Sequence, residues 1–259
     1  MAIITLTTDL GDKDIYQAAL KGSILKLLPT VNIVDITNCV AAYNIQQAAF
    51  ILKNSFHYFP EDTVHLIGID TVFNTGTRYL AVKYRNHYFV GADIGIFSLM
   101  FEKDPDEIVE INIMQDLKFL HFPLADIFVK AACHLAKGGT LTEIGIAVSD
   151  IDKKMNLQPV VEKSLIKGVV IYIDSFQNVI TNITKEFFNK VQQNRRFTLS
   201  FKRNETISQL SWHYNEVPEG EKLCLFGISD HLEIAINKGN AAGLLGLNLG
   251  DSVIIDFEG

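Results

Sequence analysis

The stretch Thr5-Leu6-Thr7-Thr8-Asp9-Leu10-Gly11-Asp12-Lys13-Asp14-Ile15-Tyr16 decides how the chain begins to fold. The apolar run 2–6 reads as a buried strand that stops at Thr7-Thr8-Asp9, and Leu10-Gly11 makes the turn. Asp12 or Asp14 then caps a helix whose apolar positions Ile15, Ala18, Ala19, Gly22 and Leu25 recur at helical spacing. A strand that delivers Thr-Thr-Asp just before a helix puts a carboxylate where open α/β sheets bind ligands. Asp9 therefore either closes the turn or reaches into a ligand crevice.

With 259 residues, 48% hydrophobic and 20% charged, the chain is globular, as one large domain or two modest ones. Its formal charge of −7 argues against a nucleic-acid partner, and the short pairs Lys153-Lys154 and Arg195-Arg196 read as solvated faces. No apolar run approaches a membrane span, and Met1-Ala-Ile-Ile enters a strand without a basic leader. The three cysteines, Cys39, Cys133 and Cys224, are scattered, which suits buried thiols in a reducing compartment. The expectation is a soluble cytoplasmic protein.

Further strands are expected at 31–36 and 64–70, the latter again delivering an aspartate, Asp70. Between them Ile45, Ala48, Ala49 and Leu52 mark a helix, and Phe59-Pro60-Glu61-Asp62 breaks the chain. A strand pair, 79–84 and 88–91, turns at Arg85-Asn86, and 123–136 reads as a long helix closed by Gly138-Gly139. This alternation predicts a helix-covered, mostly parallel sheet. Past Asp150 the helical periods fade, and 166–173, 197–201, 222–226 and 252–257 read as short strands, with one helical piece at 241–247. A smaller β-rich domain, barrel or sandwich, is expected there, and the division is placed at 1–155 and 156–259.

No G-x-G-x-x-G follows the first strand, and neither a P-loop, an H-E-x-x-H nor a G-x-S-x-G occurs. The pattern points to a site without phosphate loop, metal or cofactor. What remains is carboxylates at strand ends: Asp9 and Asp70 on one rim, Asp174 opening Ser175-Phe176-Gln177-Asn178, and Glu233 within Ser229-Asp-His-Leu-Glu233. Such groups suit a ligand with hydroxyls or positive charge, since one carboxylate accepts both donors of a ribose diol. By spacing alone they could equally be four unrelated turn residues.

Several motifs together resemble the S-adenosylmethionine hydrolases, the hydroxide adenosyltransferase family that includes fluorinating and chlorinating enzymes. They are Thr5-Leu-Thr-Thr-Asp-Leu-Gly, Asp35-Ile-Thr, Phe59-Pro60 with Thr63-Val-His, Tyr88-Phe-Val-Gly-Ala-Asp and Asp126-Ile-Phe. In the second half Ile173-Asp-Ser-Phe-Gln-Asn-Val-Ile-Thr-Asn182, Gly227-Ile-Ser229, Leu232-Glu-Ile-Ala and Gly239-Asn-Ala-Ala242 continue the match. The resemblance implies an N-terminal α/β domain, a C-terminal β-barrel and a homotrimer, its small-molecule site lying between subunits. S-adenosylmethionine is then substrate rather than cofactor. Asp9 would take the ribose hydroxyls, and Asp174 and Glu233 the methionine ammonium beside Ser229. Phe176, Asn178 and the backbone near Ala241 would line the pocket.

The implied chemistry is in-line attack of water at the 5′ carbon, with an Asp, Arg and His cluster around the water. Asp70 matches the aspartate; Arg78 and His121 are the candidates for the other two. The family loop after the aspartate departs here to Thr71-Val-Phe-Asn-Thr-Gly-Thr77-Arg78, with the arginine position falling on Thr77. His121 stands two residues too far from Asp126, and Ile94 replaces an asparagine. The expectation is a hydrolase forming adenosine and methionine, with a non-catalytic S-adenosylmethionine or adenosine sensor as the alternative.

Overall fold

The computed structural model describes residues 2–71, 76–202 and 205–258. The chain divides into two compact units, 1–155 and 156–259. In the first, β1 (Ile3–Thr8), β2 (Asn32–Thr37), β3 (Val64–Gly68), β4 (Tyr79–Tyr84), β5 (His87–Ala92), β6 (Glu107–Ile111) and β7 (Gly145–Ala147) form one sheet. Its order is β2-β1-β3-β5-β4-β6-β7.

The sheet is mixed rather than mostly parallel. β1 pairs parallel with β2 and β3, and β3 with β5, while β4 pairs antiparallel with β5 and β6, and β6 with β7. The cause is local: Arg85 and Asn86 both adopt positive φ, 49° and 60°. That is the two-residue turn whose twist suits a hairpin, so β4 must run against β5.

Helices cover both faces. On one, α1 (Ile15–Leu27) and α4 (Ile127–Ala136) place Leu20, Ile24, Phe128, Ala131 and Leu135 on Ile4, Leu6, Leu66 and Val90. On the other, α2 (Ile45–Lys53) and α3 (Ile96–Met100) bring Ala48, Leu52, Phe97 and Met100 onto Ile67, Leu80, Val82 and Phe89.

α1 departs from the expected face. It buries Leu20 and Ile24, while Ala18, Ala19 and Gly22 are exposed, as are Ile15 at 77% and Leu25 at 44%. Two apolar stripes run along this helix, and periodicity alone does not choose between them. Asp14 is the N-cap, but its side chain makes no capping bond.

In the second unit β9 (Leu165–Ile173) is the spine. Residues 165–169 pair with β15 (Ser252–Phe257) and residues 170–173 with β10 (Val179–Thr184). Gly168 sits at that changeover, where a Cβ would come within 2.7 Å of Ile183. The other strands are β8 (Val160–Glu162), β11 (Phe197–Phe201), β12 (Glu205–Ile207), β13 (Lys222–Phe226) and β14 (His231–Ile236). The order is β12-β11-β15-β9-β10-β14-β13, and a bridge from Leu210 to Cys224 of β13 draws the two ends nearly into a barrel. The helices α5 (Lys185–Gln192) and α6 (Ala241–Leu245) contribute Phe188, Ala241 and Leu245 to its core.

Within the first unit His65 is fully buried, bonded to Thr5 Oγ1 at 2.7 Å and to His87 Nδ1 at 3.2 Å, and stacked on Phe89. Burial, and then the neighbouring His87, push its pKa down from 6.5 to about 3. Below pH 6.5 the unfolded chain therefore binds a proton that the folded chain refuses, and stability falls as the pH falls. The loss from this group approaches about 1.4 kcal/mol per pH unit. Denaturant unfolding at about pH 7.5 and about pH 5 should show the decline, and His65→Gln should make it shallower. An equal decline in the variant would assign it to other groups.

Candidate active site

Four parallel strands, β2, β1, β3 and β5, end on one rim of the first sheet. Beyond their last residues stand Asn38, Asp9, Asp70 and Asp93. The chain leaves β1 for β2 on one side and returns to β3 on the other, so the β1–β3 boundary is the switch point where open sheets form ligand crevices. Thr8 pairs with Gly68, and the Asp9 amide donates to Gly68 O at 3.2 Å, which sets Asp9 and Asp70 on either side of that boundary.

Asp9 is half-buried, and its Oδ2 accepts the amide of Tyr43 at 3.0 Å. Tyr43 has φ +63° and is 67% exposed, an aromatic left open beside the carboxylate. Thr8 Oγ1 donates to the buried Asn38 at 2.8 Å, fixing the neighbouring strand end. Asp70 lies two residues beyond β3 with φ +45°, exposed, and among the described residues nothing bonds its carboxylate.

Arg78 and His121 do not join Asp70. Arg78 gives Nε and Nη2 to Asp93 Oδ2 at 3.2 and 2.6 Å, and Nη1 to Asp150 Oδ1 at 3.1 Å. Those bonds, Asp93's first, raise its pKa further. Asp93 Oδ1 in turn accepts the Asp152 amide at 2.8 Å. The guanidinium thus straps the 150–152 segment to the end of β5. His121 is exposed on the turn before Pro123, and among the described residues no hydrogen bond joins it to Asp70 or Asp126. Asp126 is buried and occupied by the Asp116 amide and by Lys130 at 2.6 Å. Thr77 and Arg78 are described, but Val72, Phe73, Asn74 and Thr75 of the altered loop lie outside the described residues.

The second unit assembles its own cluster. Asp174, after β9, accepts the Asn178 amide at 2.8 Å and the Asn178 side chain at 3.1 Å. Gln177 takes φ +67° in that turn, and its carbonyl accepts the amide of Ala242 at 3.0 Å, tying the turn to α6 beside buried Ala241. Phe176 projects from the turn, 81% exposed. Glu233, in the middle of β14, is 6% exposed, and its Oε1 accepts the Tyr214 hydroxyl at 2.6 Å. Burial above all, and then Asp174, raise the Glu233 pKa, while the Tyr214 bond lowers it. Ser229 is half-buried in the preceding turn, its carbonyl accepting from His231 Nδ1 at 2.7 Å.

Tyr214, Tyr43 and Asn38 were not singled out by the sequence. The run Trp212-His213-Tyr214, holding the chain's one tryptophan in a polar loop, was the available signal for the first. Among the described residues no group of three or more His, Cys, Asp or Glu is gathered to hold a metal ion. No described helix is long and apolar enough to cross a membrane.

The sequence pattern of the SAM hydroxide adenosyltransferase N-terminal domain matches residues 4–145, and that of the C-terminal domain matches 168–254. The chain belongs to the SAM hydroxide adenosyltransferase family. Within it, the chain is 27% identical to an (R)-S-adenosyl-L-methionine hydrolase of Methanocaldococcus jannaschii, over 98% of this chain and 96% of that one. A Thermus thermophilus protein of the same name is also 27% identical, over 96% and 98%. A fluorinase of an Actinoplanes species is 23% identical over 73% of this chain and 74% of its own. The crystal structure of an uncharacterized conserved protein from Thermotoga maritima, 29% identical, superposes with a TM-score of 0.89 over 98% of this chain and 99% of that one.

The strap at Arg78 makes a stability prediction for this family member. Asp93's side chain is 3% exposed, so Arg78→Ala leaves a nearly buried carboxylate with one backbone donor. Urea unfolding should report a loss of about 3 kcal/mol. An Arg78→Ala protein of unchanged stability but abolished turnover would instead make Arg78 a catalytic group.

Proposed function

We propose that this protein hydrolyses S-adenosylmethionine at the ribose 5′ carbon, giving adenosine and methionine. The observation that carries the reading is the near full-length kinship with proteins named (R)-S-adenosyl-L-methionine hydrolases, joined to Asp9 and Asp70 flanking the switch point. The relatives' names specify the (R) form, and that sulfonium epimer is the substrate to test first.

The chemistry asks little of the protein. A sulfonium departs as a neutral thioether, so the leaving group needs no acid. The work left is to hold water in line with the C–S bond, exclude bulk solvent and accept one proton. Asp70, whose carboxylate no described residue bonds, orients the water and takes the proton. Asp9 binds the vicinal ribose hydroxyls, its free lone pairs accepting both. Asp174 and Glu233 bind the ammonium, with Phe176, Asn178, Ser229 and the Ala241 backbone around the substrate. Carboxylates placed against the sulfonium itself would favour the ground state, whose charge is lost on displacement; they belong at the distant amine.

We further propose a homotrimer in which the acidic cluster of one copy completes the Asp9–Asp70 site of the next. The apolar side chains left open, Ile15 and Leu25 on α1 and Phe176, Trp212 and Ile228 beside the second cluster, support it. A cytoplasmic location suits the free thiols of Cys39, Cys133 and Cys224.

A second reading, a protein that binds S-adenosylmethionine without turning it over, is favoured by one observation: Arg78 is committed to Asp93 and Asp150. Incubation with S-adenosylmethionine and chromatography for adenosine separates the two. Halide-independent release of adenosine is expected. Asp70→Asn should lower turnover by roughly 100-fold or more with affinity retained, and Asp9→Ala should abolish binding. Bound ligand without adenosine would establish the sensor.

A further inference from the structure

Among the described residues the carboxylates of Asp93, Asp126 and Glu233 are withdrawn from water, and Asp93 is neutralised by Arg78 at 2.6 Å. Asp126, 5% exposed, is neutralised by Lys130 at 2.6 Å. Glu233, 6% exposed, has no cation within ion-pair reach among the described residues; what meets it is a neutral phenol, the hydroxyl of Tyr214 at 2.6 Å. A buried carboxylate normally demands a cation or gives up its charge. A site that must receive a cationic group has reason to leave that place empty.

The surroundings of Glu233 narrow the roles further. Ile180 of β10 and Leu225 of β13 stand opposite it in the sheet, both uncharged. Of the titratable groups around it, Tyr214 and Asp174 act on it. Glu233 Oε2 lies against Gly227, where a Cβ would collide with it, so only a glycine lets the carboxylate take this position. Asp174 has both oxygens engaged by Asn178.

We propose that Tyr214 is the positioning residue of the ammonium site: its hydroxyl holds Glu233 Oε1 and so sets the orientation in which the carboxylate meets the amino group of the substrate. The proposal rests on S-adenosylmethionine being the ligand. A phenol is suited to this because it donates to the ionised form without cancelling its charge, as a lysine would. It acts against burial and Asp174, both of which favour the protonated acid. Without the hydroxyl, Glu233 takes up a proton at a higher pH and loses its hold on the ammonium.

Tyr214→Phe keeps the ring and removes one oxygen. KM for S-adenosylmethionine should rise roughly tenfold while kcat changes less than about threefold, and the acidic limb of kcat/KM should move up by about one pH unit. In a Glu233→Gln background the same change should have no further effect on affinity, since the two residues act as one. Calorimetric titration of S-adenosylmethionine and of adenosine, run in parallel, should show the loss for the first ligand only. An unmoved acidic limb, additive effects in the double variant, or equal loss for both ligands would overturn the proposal. Wild-type protein that binds S-adenosylmethionine yet releases no adenosine would overturn the hydrolase reading alone, and the titrations would still judge Tyr214. Wild-type protein that binds neither ligand would overturn both.

Discussion

The first unit turns on one close approach, that of Gly68 to its neighbours. A Cβ at this position would fall 2.5 Å from Leu124 Cδ2 and 3.0 Å from Thr8 Cγ2. Only a bare backbone lets the end of β3 lie between β1 and the turn that leads into α4. Because that approach is made, the Asp9 amide reaches Gly68 O, and the two strand ends stop side by side. Asp9 and Asp70 inherit their separation from it. A side chain at 68 would displace the end of Leu124 or press on Thr8, the residue before Asp9.

Three carboxylates on one rim would repel, and the fold gives each a different state. Asp93 is neutralised by Arg78 and capped by the Asp152 amide, so it serves the segment that ends the first unit. Asp9 accepts one backbone amide and keeps lone pairs for hydroxyls. Asp70 is exposed, and no described residue bonds its carboxylate. The arginine adjoining the rim is thus spent on Asp93 and Asp150, which spares Asp70 a second unneutralised charge one strand away.

Much of this was legible in sequence because strand ends carry chemistry in an open sheet. The apolar runs before Asp9 and Asp70, and the helix after the first, were readable from period and turn residues. Position 78 was readable as arginine but not as a strap, because its partner Asp150 is 72 positions away and nothing local announces it. β6 and β7 escaped notice as short, partly exposed strands, β7 at the sheet's edge, and β10 and β14 because both faces are buried, which erases the alternation that marks a strand. The hairpin that turns at Arg85-Asn86 was readable, but the further antiparallel pairings of β6 and β7 were not, so the sheet's mixed character was only partly legible. Tyr214 was hidden because a single tyrosine in a loop has no partner until β14 folds beside it.

The two acidic clusters answer different physical demands. At the rim of the first sheet Asp70 is open to solvent, Asp9 accepts an amide and Asp93 is paired with Arg78, so these charges cost little to keep. In the second unit Glu233 is stripped of water, and its folded-state neighbours, apart from Tyr214, push it toward the neutral acid. Such a group is stable as an anion only with help, and the phenol gives a part of that help. Affinity for a cation is then strongest where solvent is weakest, since the same Coulomb attraction is many times larger away from bulk water. Phe176, Trp212 and Ile228 are all more than four-fifths exposed, so the apolar surface that would deepen this effect is present in the chain and open.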